Sequence, residues 1–368
     1  MNSISHSKLS RYMQCGHSYK LHYIDKIRPT VTHAALLFGS AMDSALNVLL
    51  TKPKESAEEA FEKAFISTMV NDKESYLPTD ETLVYANADF DSDLLTQEDY
   101  NFVAESSKEF VTQHPNQLEV YKELEAKKKD TGLGSFTSME KVFFNLMNWV
   151  SLRRKGFLML KAYREKVLPK LEKVISVQER ISLDNGSGDT IMGYVDLIAE
   201  VKGHGVVILD NKTSSMEYDE DAVLTSPQLG LYTHMLEDKY NTRKAGYIVM
   251  RKSVIKNRKK VCSVCGHNGT GGRHKTCDNI IAGKRCNSEW NETIDPDINI
   301  QILINEIPHQ TEKLVMENAD GINEAIKAGH FNRNLSSCTN WYGSKCPHFN
   351  LCYHNRMDGL VNMKKENL

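Results

Sequence analysis

The spacing of apolar and polar residues divides the chain into a helical first half and a strand-rich second half. From Ser3 to about Tyr23 the apolar residues recur at helical spacing, which predicts a short amphipathic helix with Ser5 or Ser7 as its cap. Positions 33–170 are rich in helix formers, with Glu and Lys at helical spacing in segments such as KESAEEAFEKAF. This composition predicts an α-helical region.

The second half carries the alternating pattern of β-strands. The segments KVISVQERISL, TIMGYVDLIAEV and VVILDNKT predict a meander of three strands, separated by the turn sequences DNGSGD (positions 184–189) and KGHG. SPQLGLYTHMLEDKY then predicts a helix, and AGYIVMRKSV predicts a further strand. A Gly-rich and Lys-rich insertion from Cys262 to Cys286 interrupts the pattern, and a helix is predicted from Ile300 to Ala328.

These elements predict an α/β protein in which helices flank a mixed β-sheet. At 368 residues the chain is long enough for one large core or two modest ones. The predicted regions are an N-terminal helix at 1–30, a helical region at 31–170, a sheet core at 171–260, a small insertion at 261–290 and a C-terminal helical segment at 291–368.

Composition and charge narrow the class of protein. The formal net charge of -2 gives no global attraction to nucleic acid, so phosphate contacts would need local basic clusters. No apolar run approaches the roughly 18 to 20 residues that a membrane span needs, and the N-terminal sequence lacks the apolar core of a secretory signal. We therefore expect a cytoplasmic protein without membrane contact.

Two strands of the predicted meander carry candidate catalytic residues. Side chains alternate along a strand, so Asp210 and Lys212 point to one face, roughly 6 to 7 Å apart, and Val207 and Leu209 to the other. If the strands form a hairpin, Asp196 approaches Asp210. Two convergent carboxylates with an ammonium group suit phosphodiester hydrolysis, because they hold Mg²⁺ or Mn²⁺ and stabilise developing negative charge.

Further polar residues are placed to join this site. Gln228 and Tyr232 lie four residues apart on the following helix, so both can face the carboxylates. Glu179 lies on the preceding strand and Asp43 on an earlier helix. The alternative is a set of solvated ion pairs, because the D-x-K pattern often occurs by chance.

Together these motifs resemble the RecB-type branch of the PD-(D/E)xK nucleases, especially its iron-sulfur members, the CRISPR-associated exonucleases and the nuclease domain of the AddB helicase-nuclease subunit. In that branch a G-x-x-D strand, a D-x-K strand and a Q-x-x-x-Y helix follow in order. Here they read Gly193 to Asp196, Asp210 to Lys212, and Gln228 to Tyr232.

The resemblance implies a restriction-endonuclease-like core at 171–260. It also implies metal ligation by Asp196 and Asp210, with Asn211 as a further candidate ligand, positioning of the nucleophile by Lys212, and DNA or structural contacts from Gln228 and Tyr232.

The early helix departs from the family pattern. The family carries G-x-x-x-H there, with the histidine as a metal ligand, whereas this sequence has Gly39 and, four residues later, Asp43. Aspartate is a harder ligand that still suits Mg²⁺ or Mn²⁺. Asp43 is therefore predicted to ligate the metal, and the alternative is that it faces solvent.

The eight cysteines form two sets of four, and clustered cysteines in a reducing compartment more often bind metal than form disulfides. The resemblance implies a 4Fe-4S cluster for the set that joins the two ends of the chain, with free cysteines or zinc as alternatives. Seven residues separate the second and third cysteines of this set, where the family usually has two. This set consists of Cys15, Cys338, Cys346 and Cys352.

The second set lies within the insertion and predicts a zinc-ribbon-like element that metal binding folds. Its members are Cys262, Cys265, Cys277 and Cys286, and either His267 or His274 can replace one of the last two. The basic residues before it are predicted to contact DNA, with a purely structural insertion as the alternative. They are Arg251, Lys252, Lys256, Arg258, Lys259 and Lys260.

The sequence thus predicts a metal-dependent DNA nuclease. The resemblance implies an exonuclease acting on single strands or duplex ends in recombination, repair or phage DNA metabolism, within a bacterial or phage-infected cell. No phosphate-binding loop is present, so unwinding would need a separate helicase. The alternatives are a DNA-binding or accessory module with a silent site, and cleavage of RNA.

Overall fold

The computed structural model describes residues 3–29, 34–70, 94–99, 101, 117–131, 135–184, 190–269, 276–339 and 345–364. The labelled helices are α1 (His6–Gln14), α2 (Gly16–Tyr19), α3 (Ala34–Thr51), α4 (Ala57–Val70), α5 (Gln117–Thr131), α6 (Ser138–Lys166), α7 (Pro227–Tyr240), α8 (His309–Lys327) and α9 (Phe349–His354). The strands are β1 (Ser3–Ser5), β2 (Ile27–Pro29), β3 (Leu171–Asp184), β4 (Thr190–Val201), β5 (Gly205–Ser214), β6 (Lys244–Cys262), β7 (Asn268–Gly269), β8 (Ile280–Ile281), β9 (Lys284–Arg285), β10 (Trp290–Glu306) and β11 (Leu360–Asn362).

A mixed sheet of seven strands forms the centre of the described part of the chain. Its order is β1-β4-β5-β6-β10, with β3 also paired to β4 and β7 to β6. The predicted meander is confirmed, because β3, β4 and β5 pair antiparallel in sequence order. The predicted further strand, β6, lies parallel to β5 after the crossover through α7.

Helices cover both faces of this sheet, which confirms the predicted α/β fold. Val207 and Leu209 of β5 pack with α3, α4 and α6 on one face. Ile208 packs with α7 on the other. Asp210 and Lys212 follow Ile208 at even spacing, so they face α7.

β4 changes neighbours along one of its edges. β3 occupies the whole of the other edge, from Thr190 to Val201. On the shared edge β5 pairs with β4 only from Leu197 to Val201, and β1 pairs in parallel from Thr190 to Met192. On this shared edge, the segment between the two pairings, which ends at Asp196, has no strand beside it among the described residues. β4 and β5 diverge at this point.

The predicted helix at 300–328 was wrong in its first part. Residues up to Glu306 belong to β10, and the helix begins at His309 after Pro308. From Ile298 to Ile302 apolar residues alternate with polar ones, and β10 pairs with β6 along its length with one irregularity between Ile298 and Ile300. β-branched residues favour such pairing, so the alternation decides the structure.

The predicted N-terminal helix is confirmed in part. It is preceded by β1, and Ser5 caps it by accepting a hydrogen bond from the Lys8 N–H at 3.4 Å. Cys15 was predicted to lie inside the helix, but its backbone is extended and separates α1 from α2. Residues 185–189 of the predicted turn lie outside the described residues. In the part of the chain that is described, no helix is long and apolar enough to cross a membrane.

Candidate functional site

Lys212, Asp210, Gln228 and Tyr232 form one contact network between β5 and α7. Lys212 Nζ lies 2.5 Å from Asp210 Oδ2 and donates to Gln228 Oε1 at 3.1 Å. Gln228 Nε2 donates to Asp210 Oδ1 at 2.8 Å and to Tyr232 Oη at 3.0 Å. Ser226 caps α7 and precedes a proline, which places Gln228 in the first turn, beside β5.

Asp196 lies where β4 and β5 diverge, and both of its carboxylate oxygens are held. The backbone N–H of Asn211 donates to Asp196 Oδ2 at 2.8 Å, and Gln178 Nε2 donates to Oδ1 at 3.2 Å. The Asn211 side chain turns to the opposite face, where its Oδ1 accepts from Tyr163 Oη at 3.4 Å. The predicted ligand Asn211 thus approaches the carboxylates through its backbone.

α3 brings Asp43 to the same site. Enclosure of its carboxyl group and then the negative charges of Asp196 and Asp210 raise the pKa of Asp43 to about 7. The residue as a whole is exposed, which places the carboxyl group at the solvent side of the site. Asp43 therefore faces both solvent and the other two carboxylates.

The electrostatics of the site reflect three carboxyl groups and one ammonium group. Burial and then the charge of Asp196 raise the pKa of Asp210 to about 7, and burial also raises the pKa of Asp196. Burial alone would lower the pKa of Lys212, but the charges of Asp210 and Asp196 outweigh it and raise this pKa. The lysine is therefore charged at neutral pH, while the carboxyl groups repel one another.

These residues are of the type that binds a hard divalent cation, and their carboxylate oxygens do not all lie within 4.8 Å of one another in the described structure. Asp43, Asp196 and Asp210 offer the oxygen ligands that Mg²⁺ and Mn²⁺ prefer, and a cation would relieve their repulsion. Asp210 Oδ2 is buried and, among the described residues, has the ion pair with Lys212 but no well-directed hydrogen bond. That oxygen retains capacity for a ligand.

Sequence reasoning missed three residues near these carboxylates. Gln178 contacts Asp196 directly. Tyr163 is fully buried, and its pKa is raised by burial and by the charge of Asp196. His6 at the start of α1 has a pKa lowered by burial and by the charge of Lys212.

Glu179, expected near the carboxylates, instead accepts hydrogen bonds from Lys239 Nζ at 2.5 Å and Tyr240 Oη at 2.6 Å, at the far end of α7. Its neighbour Gln178 takes the place beside Asp196. Their adjacency in sequence was the only signal for Gln178.

The sequence matches the PD-(D/E)XK nuclease superfamily over residues 3–353. The chain belongs to this superfamily. No curated protein matches the sequence. The matched range contains the D-x-K strand and the cysteines near both ends of the chain.

The insertion of this nuclease brings its four cysteines together. The sulfur atoms of Cys262, Cys265, Cys277 and Cys286 all lie within 4.8 Å of one another. Cys262 Sγ is 3.6 Å from Cys286 Sγ, and Cys265 Sγ is 3.7 Å from Cys277 Sγ. A tetrahedral zinc ion with bonds of about 2.3 Å holds its sulfurs about 3.8 Å apart, so these residues fit zinc.

His267 and His274 were the alternative ligands for the cysteine set of the insertion. His267 packs beside the Trp290 ring, with centroids 6.3 Å apart. His274 lies outside the described residues. The backbone N–H of Cys265 donates to Cys262 Sγ at 3.4 Å, and this bond lowers the pKa of the Cys262 thiol. This hydrogen bond favours the thiolate of Cys262, whereas burial raises the pKa of the Cys277 thiol.

The other four cysteines of the nuclease line one cavity of about 90 Å³ between the two ends of the chain. The long gap between Cys338 and Cys346 is closed by a hydrogen bond from Cys346 N–H to Cys338 O at 2.8 Å and by a bridge between Thr339 and Lys345. Among the described residues, this set is not one whose sulfurs all lie within 4.8 Å. Its spacing is wider than a single tetrahedral ion requires.

The basic residues predicted to contact DNA differ in burial and in ion pairing. Arg251 forms an ion pair with Glu217 at 2.7 Å. Lys252 is only 7% exposed, with Nζ 5.6 Å from the centre of the Phe38 ring. Lys259 pairs with Asp295 at 2.6 Å. Lys256, Arg258 and Lys260 lie with Lys259 in the outer half of β6, which pairs with β10 but not with β5.

Proposed function

We propose that the protein is a metal-dependent deoxyribonuclease of the RecB-type branch, which hydrolyses phosphodiester bonds in DNA. The observation that carries the proposal is the contact network of Asp210, Lys212 and Gln228 beside Asp196, where β4 and β5 diverge. Membership of a nuclease superfamily supports it.

Asp43, Asp196 and Asp210 would hold a Mg²⁺ or Mn²⁺ ion. When bound, such an ion lowers the pKa of a water ligand and neutralises charge on the phosphate. The carboxylate of Asp196 is oriented beforehand, since both oxygens accept hydrogen bonds from neighbouring groups.

Lys212 supplies the positive charge that the protein's own side chains bring to this site. Its Nζ is held between Asp210 Oδ2 and Gln228 Oε1, so its direction is set before DNA binds. A fixed ammonium group stabilises the charge that develops on the phosphate oxygens as the bond breaks. Gln228 acts through its neighbours, because its amide contacts Asp210, Lys212 and Tyr232 at once.

The proposal extends to exonucleolytic cleavage of single strands or duplex ends, together with a separate helicase or recombination protein. The order of the G-x-x-D, D-x-K and Q-x-x-x-Y motifs supports it. For Cys15, Cys338, Cys346 and Cys352 we propose a 4Fe-4S cluster, since they line one cavity with a spacing wider than that of a single tetrahedral ion. For the insertion we propose zinc, and DNA contact by the outer half of β6.

Cleavage of end-labelled single-stranded and double-stranded DNA with Mg²⁺ or Mn²⁺ tests the proposal. Lys212→Ala should reduce the cleavage rate by about 100-fold or more, because a preorganised charge at the phosphate is lost. Lys239→Ala is the matched control, since this exposed lysine pairs with Glu179 away from the carboxylates. Equal rates for wild type and Lys212→Ala would refute the proposed active site. An RNA strand of the same sequence tests the sugar preference.

A second candidate function is a DNA-binding module without cleavage. It is favoured by one observation, the aspartate at position 43 where the family carries histidine. This alternative predicts metal-independent DNA binding, measured by fluorescence anisotropy, and no loss of label with any substrate.

A further inference from the structure

A residue of β3 in an unusual backbone conformation lies directly opposite Asp196. The residues on either side of Gln178 pair with those on either side of Asp196 in β4. Gln178 has a φ of 52°, in the left-handed region that residues other than glycine rarely adopt, least of all within a strand. Such a conformation costs stability and persists only where the surrounding structure imposes it.

The side chain of Gln178 makes one of the two hydrogen bonds described for the Asp196 carboxylate. Its Nε2 donates to Asp196 Oδ1 at 3.2 Å, while the Asn211 backbone donates to Oδ2 at 2.8 Å. The strand on each side of β4 thus contributes one donor. Glu179, the next residue, turns to Lys239 and Tyr240 instead.

A neutral donor is the suitable choice at this position. A glutamate would add a fourth carboxyl group to the three that already repel one another. A lysine would bring a positive charge that competes with a bound cation. An amide donates a hydrogen bond to one carboxylate oxygen and leaves the charge of the site unchanged.

We infer that Gln178 is a positioning residue, whose amide, held by left-handed backbone, fixes the Asp196 carboxylate in the orientation that binds the divalent cation. The inference rests on the proposed function, because it takes Asp196 as a ligand of that cation. Residues that orient a metal ligand by hydrogen bonding typically change metal affinity about 10- to 100-fold when removed. Gln178 lies outside the G-x-x-D, D-x-K and Q-x-x-x-Y motifs.

The substitution Gln178→Gly separates the role of the amide from that of the backbone. Glycine adopts a positive φ without strain, so the unfolding temperature should be unchanged or higher. The amide is lost, so Mn²⁺ should bind about 10- to 100-fold more weakly. Isothermal titration of the full chain with Mn²⁺, without DNA and with the cysteine sites loaded, measures the affinity, and thermal unfolding measures stability. Unchanged Mn²⁺ affinity in Gln178→Gly overturns the inference.

Two further variants keep the test interpretable. Gln178→Asn also tolerates left-handed backbone and retains a shorter amide, so its Mn²⁺ affinity should lie between those of wild type and Gln178→Gly. Asp210→Ala should abolish Mn²⁺ binding at this site. If Asp210→Ala and Gln178→Gly both bind Mn²⁺ as the wild type does, the proposed function fails. If only Gln178→Gly does so, the inference alone fails.

Discussion

Gly193 leaves the space that the Tyr232 ring occupies. A Cβ atom at this position would lie 2.8 Å from Tyr232 Cε1 and 3.3 Å from Ile181 Cγ1, closer than packed carbon atoms approach. Tyr232 Oη in turn accepts from Gln228 Nε2. The glycine of G-x-x-D and the tyrosine of Q-x-x-x-Y are therefore the two sides of one contact, and they hold Gln228 beside Asp210.

Gly193→Ala should displace the Tyr232 ring and with it Gln228, and should slow DNA cleavage by about tenfold or more. Gly321→Ala is the matched control. At this exposed position in α8 a Cβ atom would have no described neighbour within 4 Å, so alanine should raise the free energy of unfolding by about 0.5–1 kcal/mol and leave cleavage unchanged. Equal cleavage rates for both variants would contradict the contact described for Gly193.

At the level of single residues, strand alternation was enough to place Asp210 and Lys212 on one face with Val207 and Leu209 on the other. It was not enough to choose between Gln178 and Glu179. No local pattern signals a left-handed residue inside a strand, because that conformation is imposed by contacts with β4 that are distant in sequence.

At the scale of elements, β6 and β10 form a two-stranded antiparallel ribbon. Its structure is determined by pairing between residues that are far apart in the sequence. The two strands pair from Lys244 to Cys262, beyond the edge that β5 covers, with one irregularity between Ile298 and Ile300. Lys166 at the end of α6 anchors this point by donating to both oxygens of Asp297 at 2.7 Å. The sequence predicted the first part of β6 as a strand, but its partner β10 lies beyond the insertion, and the last part of that partner, from Ile300, was predicted to be a helix.

We expect the outer end of the ribbon to depend on metal, because the insertion has little apolar surface to bury. Cys277→Ser should reduce zinc content from about one ion per chain and make positions 262–290 sensitive to protease, while the sheet keeps its amide protection from hydrogen exchange. Zinc analysis with limited proteolysis measures this. An insertion that stays protease-resistant without zinc would show that metal does not fold it.

On the scale of the whole molecule, the two ends of the chain form one structure. β2 pairs with β11, Tyr12 Oη donates to His330 O at 2.5 Å, and His17 N–H donates to Asn332 O at 3.1 Å. The cysteine distribution predicted this adjacency. The strand pair and these individual bonds have no counterpart in sequence pattern, since they join positions that are far apart along the chain.

Cys352→Ser should release the proposed iron-sulfur cluster. The unfolding temperature should then fall, because the cluster would no longer link the two ends of the chain. Protein isolated without oxygen should contain about four iron atoms per chain in the wild type and in Cys277→Ser, and far fewer in Cys352→Ser. Zinc should show the opposite dependence on the two substitutions. A wild type that contains zinc alone would refute the cluster.

The apolar face of α1 also matters during translation of the chain. Leu9 packs in one cluster with Ile191 of β4, Leu231 of α7 and Val315 of α8. At roughly 5–20 residues per second, a ribosome needs roughly 15 to 60 seconds between making α1 and making α8. During that interval the helix has no complete partner surface, so we expect the nascent chain to be inactive on nucleic acid, and to need shielding by chaperones, until α8 emerges.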